Sequence, residues 1–140
     1  MAYIDTSVLA AYYCPERLSA KVQKVLARLP DATISPLVEL EFLSALATKV
    51  RAREFDAPTA GRIASTFQLH LADGLYRMVP IEAREYALAR LWIGSFAAAL
   101  RTLDALHLAA ASANDLVLLT ADKGLARAAV KLNVRHEILA

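Results

Sequence analysis

Short apolar runs recur along this chain, each separated from the next by one or more helical stripes. Ala2-Tyr3-Ile4, Ala32-Thr33-Ile34-Ser35, Tyr76–Val79, Leu116-Val117-Leu118-Leu119 and Val134–Ile138 are strand-length and bounded by turn or helix-start residues. Helical periodicity fills the gaps. It covers Thr6–Tyr13, Glu16–Leu29 (Leu18, Val22, Val25, Leu26 and Leu29 on one face), Pro36 to about Arg53, and Thr59–Leu71. A further helix opens at Glu82 and Glu85 and continues through Leu88, Leu91, Trp92 and Phe96, and Phe96–Leu100 is expected to be helical too. An alanine-rich helix follows from Asp104 through Ala113, and a last one covers Lys123–Leu132. Apolar strands alternating with helices predict an α/β fold: a three-layer arrangement with a central, mostly parallel sheet of about five short strands. The prolines at 15, 30, 36, 58 and 80 punctuate elements, and no linker or repeat interrupts them. A single domain over residues 1–140 is expected.

Composition removes several function classes. The chain is 57% hydrophobic with a mean hydropathy of +0.38, which excludes disorder as its general state. Charged or polar residues interrupt every apolar stretch before the ~20 residues a spanning helix needs. Tyr3-Ile4-Asp5 already reads as structure, so no signal peptide is expected. The four glycines never approach a GxG spacing, which removes dinucleotide and phosphate-loop fingerprints. A lone Cys14 makes neither an intramolecular disulfide nor a zinc site and reads as a small apolar filler. His70, His107 and His136 are too scattered for a histidine-rich metal site. These features point to a reducing cytoplasm. A net charge of +2 permits a nucleic-acid partner without arguing for one.

The acids are more informative. In open parallel sheets, function gathers beyond the carboxyl ends of the strands. Asp5 directly follows the first apolar run, Asp122 follows Leu116–Leu119 and Thr120, and Asp104 opens the helix before that run. Aspartate is a common helix cap, but Thr6, Ser7 and Thr120 stand beside these acids as alternative caps and supporting hydroxyls. The helix from Pro36 is apolar almost all round, so a carboxylate on it needs a partner. Glu39 and Glu41 point about 200° apart. Glu41 shares a narrow polar strip with Ser44 and Thr48, which favours it as the inward acid and leaves Glu39 as the alternative. Four such carboxylates without a nearby histidine or paired arginine would repel one another, by ~4 kcal/mol per pair at 4 Å and an effective dielectric of 20. Convergence is therefore expected to raise at least one carboxyl pKa and to call for a cation. All-oxygen ligation suits Mg²⁺ or Mn²⁺, typical equipment for phosphodiester hydrolysis.

Four segments carry a resemblance. Asp5-Thr6-Ser7-Val8-Leu9, Ser35-Pro36 through Glu41-Phe42-Leu43-Ser44-Ala45-Leu46, Leu103-Asp104-Ala105-Leu106-His107-Leu108-Ala109, and Leu119-Thr120-Ala121-Asp122-Lys123-Gly124-Leu125 resemble the PIN domain family, and within it the VapC ribonuclease toxins. The resemblance spans essentially the whole chain, with the motifs in family order. It implies a PIN-like fold and an acidic quartet at Asp5, Glu41, Asp104 and Asp122, and so settles Glu41 over Glu39. It also implies a Mg²⁺- or Mn²⁺-dependent RNA endonuclease, inhibited by a VapB-type antitoxin and dimeric. Asp5, Asp104 and Asp122 would be the metal ligands, with Glu41 acting through bound water or a second ion. Ala126 and Arg127 stand where some members carry a further acid.

A haloacid-dehalogenase-type phosphatase would need a second aspartate where Ser7 stands, and a receiver domain would need a phospho-acceptor where Pro80-Ile81 lie. The alternative that remains is a non-catalytic PIN-like module binding RNA or protein. Loss of a quartet acid would mark it, and none is lost. His107 reads as a core hydrogen-bonding residue or a base, and Lys49, Arg51 and Arg53 as a helix-end cluster. Trp92 and Phe96 read as core or dimer packing. The surplus of apolar residues predicts a homodimer, and an inhibitor is expected to offer a basic side chain to the acids.

Overall fold

In the computed structural model, which describes residues 1–140, five strands form one sheet: β1 (Ala2–Ile4), β2 (Ala32–Ile34), β3 (Arg77–Met78), β4 (Val117–Thr120) and β5 (His136–Ile138). The order is β3-β2-β1-β4-β5 and every pairing is parallel, with Tyr3 opposite both Thr33 and Leu118. Seven helices flank it: α1 (Thr6–Tyr13), α2 (Ser19–Leu26), α3 (Pro36–Arg51), α4 (Ala57–Ala72), α5 (Ala83–Gly94), α6 (Thr102–Ala113) and α7 (Lys123–Lys131). Contacts join α1 to α2 and α3, and α3 to α4, whereas α5 packs on α6. Right-handed crossovers account for this division, with α1–α4 on one face and α5–α7 on the other. The expected α/β architecture is present, and the sheet is wholly parallel.

β1 is buried along its length, which explains why its sequence is apolar without alternation. Tyr3, Ile4, Val8, Leu9, Ile34, Phe42, Phe67, Leu108 and Leu118 are fully enclosed, and Cys14 is buried as a filler. Phe42 of α3 meets Phe67 of α4 edge-on at 5.0 Å, and Tyr13 of α1 lies 5.4 Å from Phe42, so aromatic rings weld these three helices. No helix is long and apolar enough to cross a membrane.

Several boundaries differ from expectation for local reasons. The Ser19 hydroxyl accepts from the Glu16 amide (2.9 Å) and donates to the Cys14 carbonyl (3.0 Å), so residues 15–18 form a turn and α2 starts late. Asp56 caps α4 through the Thr59 amide at 2.8 Å, with Pro58 in the first turn, so that helix starts before Thr59. Phe96 adopts φ 56° and is 89% exposed; α5 therefore ends at Gly94, and Phe96–Leu100 is a loop rather than the expected alanine-rich helix.

This topology decides where a site can lie. From β1 the chain steps outward to β2 and β3, then crosses back to place β4 and β5 on the other side of β1. The reversal falls between β1 and β4. Beyond their carboxyl ends the connecting chain diverges and leaves a crevice.

Candidate active site

Two aspartates sit at the switch point because two strand-to-helix turns end there. Asp5 is the N-cap of α1: its Oδ1 accepts from the Val8 amide (3.1 Å) and the Ser7 hydroxyl (2.5 Å). Its Oδ2 accepts from the Thr120 hydroxyl at the end of β4. Asp122 is the N-cap of α7, with Oδ1 accepting from the amides of Gly124 (2.7 Å) and Leu125 (3.1 Å). The expectation that neighbouring hydroxyls would relieve the aspartates of capping is therefore wrong. Ser7 and Thr120 instead tie the two turns together. The Ser7 hydroxyl accepts from the Ala121 amide at 2.8 Å, and the Thr120 hydroxyl accepts from the Asp122 amide at 3.0 Å.

The other two acids arrive on helix faces. Glu41, on α3, accepts at Oε1 from the Thr6 hydroxyl (2.9 Å) and from His107 Nε2. Glu39 is half-buried like Glu41 but lies on another side of the helix, where it takes a 3.3 Å bond from Gln68 of α4. Asp104, in the first turn of α6, accepts at Oδ2 from Arg101 Nε at 3.2 Å. The sequence alone predicts no histidine or arginine partner for these acids, and the structure supplies both. The spacing carried a signal for each: Arg101 precedes Asp104 by three residues and His107 follows it by three, one helical turn either way.

His107 is buried and uses both ring nitrogens. A carboxylate only accepts, so Nε2 donates to Glu41. Nδ1 meets the Tyr3 hydroxyl at 3.0 Å, and that hydroxyl meets Ser35 at 2.7 Å. Tyr3 and Ser35 are wholly enclosed, so a hydrogen-bonded line runs from the interior at β1 and the end of β2 to the Glu41 carboxylate. Sequence reading missed Tyr3 and Ser35, whose positions in a strand and before a proline gave no polar signal.

The electrostatics follow from burial and pairing. Burial raises the Asp5 pKa, against the pull of its bonds from Ser7, Thr120 and Val8. A pKa is raised as expected, but the cause is desolvation and not repulsion between carboxylates. Burial also pushes Glu41 upward, yet the His107 bond and charge, with Thr6 and Arg101, hold it below its usual range. Arg101 thus lies within reach of two acids.

Asp104 and Asp122 line one cavity of about 420 Å³, together with Arg101, Gly124, Arg127 and Lys131. Asp5 sits behind it through Thr120, and Glu41 approaches from the α3 side. No three of the acids and histidines gather around a single ligation point as the side chains stand. The donor chemistry nevertheless fits a hard divalent cation. Every candidate ligand is a carboxylate oxygen, and Asp104 Oδ1 and Asp122 Oδ2, both on the cavity residues, accept no hydrogen bond.

The family model of the PIN domain matches residues 2–131. Among solved structures, the sarcin–ricin-loop-cleaving toxin VapC20 of Mycobacterium tuberculosis superposes with a TM-score of 0.71 at 18% identity, over 91% of this chain and 95% of that one. FitAcB of Neisseria gonorrhoeae gives 0.70 at 20% identity, over 97% and 96%. VapBC2 of Rickettsia felis, bound to promoter DNA, gives 0.69 at 15% identity over the whole of both chains. No curated protein matches the sequence. Those identities speak for the fold, and the family match covers nearly the whole chain: it belongs to the PIN domain family.

Proposed function

We propose that the protein is a Mg²⁺- or Mn²⁺-dependent endoribonuclease, the toxin of a VapBC-type pair, working as one PIN-like unit over residues 1–140. One observation carries the reading. Asp104 and Asp122 line one cavity beside the β1/β4 switch point, and the Thr120 hydroxyl joins Asp122 to Asp5 there, in a chain of the PIN domain family whose fold is that of a sarcin–ricin-loop-cleaving toxin. Asp5, Asp104 and Asp122 would hold the cation, which when bound supplies Lewis-acid activation of the phosphodiester and of water.

The protein's own groups divide the remaining work. The two capped turns, stitched by Ser7 and Thr120, fix Asp5 and Asp122 relative to each other before substrate arrives. Glu41 Oε1 is occupied by Thr6 and His107, which leaves Oε2 to hold an attacking water. A carboxylate held below its usual pKa is a weak base. Glu41 therefore orients the water more than it deprotonates it, and His107 orients Glu41. Arg101 pairs with Asp104 and offsets its charge until a cation takes its place.

A VapB-type antitoxin and a second copy of the chain are the partners this reading brings. Leu40, Leu69, Leu91 and Phe96 are each more than half exposed, apolar surface of the kind such interfaces cover. With Asp104 already paired to Arg101, a basic side chain of the inhibitor would meet Asp122. RNA incubated with the protein is expected to be cut with Mn²⁺ or Mg²⁺ and left intact in excess chelator. Equal cleavage in chelator, or full activity of Asp5→Asn, overturns the proposal. A monomer by light scattering at micromolar concentration overturns the dimer.

A further inference from the structure

The cavity that holds Asp104 and Asp122 has a second wall of opposite charge. Arg127 and Lys131 lie one turn apart on α7, both lining it, and neither makes an ion pair or a side-chain hydrogen bond. Like charges four residues apart on a helix are mildly destabilising, and both side chains are exposed. Arg101 faces them from the loop before α6, its Nε on Asp104. Among the charged groups lining the cavity, cations thus outnumber carboxylates by three to two. The wall also carries an opening. Gly124 stands in the first turn of α7, where glycine is a poor helix former. A Cβ there would come within 3.1 Å of Asp122 Oδ1 and 3.7 Å of Arg127 Nη2. The missing side chain keeps free the space between the Asp122 carboxylate and the Arg127 guanidinium.

We propose that Arg127 and Lys131, across the gap left by Gly124, form a phosphate-binding ladder that seats the backbone of a single RNA strand beside the acids. The spacing suits consecutive anionic groups on one strand: four residues along a helix advance ~6 Å. Arg127, next to Asp122, takes the phosphate nearer the acids, and Lys131 the following one. Both touch only backbone, so they give affinity and polarity without base preference. The proposal rests on the nuclease reading for its choice of RNA, but binding is measured without cleavage.

The experiment uses the full chain in excess chelator and a fluorescein-labelled single-stranded oligoribonucleotide, with anisotropy read from ~50 to ~200 mM salt. Arg127→Gln and Lys131→Gln keep much of the side-chain stem and remove the charge, and Lys24→Gln on exposed α2 is the control. Each phosphate contact on a single strand contributes ~0.7 to the slope of log affinity against log salt. Each ladder variant is expected to flatten that slope by about 0.7, which is a ~2.6-fold smaller affinity loss across the fourfold salt range. The double variant is expected to flatten it by about twice as much, with Lys24→Gln unchanged. With Mn²⁺, the ladder variants are expected to raise KM several-fold and keep kcat. A double variant with wild-type affinity and slope overturns the ladder even if cleavage proceeds. A protein that cuts nothing but binds RNA with the expected slopes overturns the nuclease reading and keeps the ladder. Tighter binding to duplex DNA of equal length overturns the choice of ligand.

Discussion

The two strand-end acids and the two helix-borne acids solve the same problem in different ways. Asp5 and Asp122 are held by backbone amides at helix starts, and their positions follow from where β1 and β4 end. Glu41 and Asp104 are held by side chains, His107 and Arg101, that also offset their charge. The first pair is therefore part of the fold, and its removal loosens structure as well as chemistry. The second pair is tethered by groups that can exchange partners. An acid set built this way avoids mutual repulsion without a cation, because each carboxylate has its own donors.

The sharpest way to break this comparison is at Asp5. Asp5→Ala strands the Val8 amide and the hydroxyls of Ser7 and Thr120 in a buried site, and is expected to cost about 3 kcal/mol in urea denaturation. Asp5→Asn keeps the cap and removes a desolvated charge, so at neutral pH it is expected to match or exceed the wild type. Because burial raises the Asp5 pKa above its ordinary 3.8, the native state holds more protons than the unfolded state between the two values. This group's contribution to stability therefore falls as pH rises through that window and is flat above it. The advantage of Asp5→Asn is expected to vanish below pH 3.8. An Asp5→Asn protein less stable than wild type at pH 7 would show that the charge itself is needed for folding.

His107 tests the helix-borne pair. His107→Ala leaves the buried Tyr3 hydroxyl with Ser35 alone and removes a donor from Glu41, an expected loss of about 2 kcal/mol. Glu41 has a lowered pKa, so it contributes stability above its ordinary 4.5 that is lost as pH falls through the lower folded value. That acid-side slope is expected to shrink in His107→Ala. An unchanged slope would mean Thr6 alone holds the carboxylate.

These contrasts also explain what could be read from the sequence. Strand ends are legible, because an apolar run stopping at Asp5 or before Asp122 is a local pattern; the sheet edge followed from alternation alone. Glu41 was separated from Glu39 by the family resemblance and not by its polar strip, because Ser44 and Thr48 of that strip are exposed. What holds Glu41 was not legible, because Tyr3, Ser35 and His107 come from β1, the turn before α3, and α6, and only the folded sheet brings them together. Helix limits failed where a side chain rewired one turn, as Ser19 does before α2, or where Phe96 turned left-handed after α5. Asp122 caps α7 although the Thr120 hydroxyl stands two residues before it. Asp122→Ala removes bonds to two amides of α7 and is expected to cost about 1 kcal/mol by thermal melting, less than Asp5→Ala because Asp122 is only half-buried.

Asp104 gives the smallest stability effect and the clearest separation of fold from chemistry. Its partner Arg101 is 83% exposed, and such a pair contributes no more than ~1 kcal/mol. Its position in the first turn of α6 adds a few tenths of a kcal/mol through the helix dipole. Mutual repulsion among the acids would make Asp104→Asn more stable without metal, whereas the observed pairing makes it slightly less stable, by less than about 1 kcal/mol. The same substitution removes a carboxylate from the cavity that Asp122 shares. Stabilisation by Mn²⁺ grows as RT ln(1 + [L]/Kd), ~2.7 kcal/mol at a hundredfold excess over Kd, and is expected to shrink in Asp104→Asn. Arg101→Gln removes the pair from the other side and frees the Asp104 carboxylate, so its Mn²⁺ shift is expected to equal or exceed that of the wild type. Thermal melts of the three proteins with and without millimolar Mn²⁺ read both quantities together. Equal Mn²⁺ shifts in all three would place Asp104 outside the metal site and leave it a partner of Arg101 only.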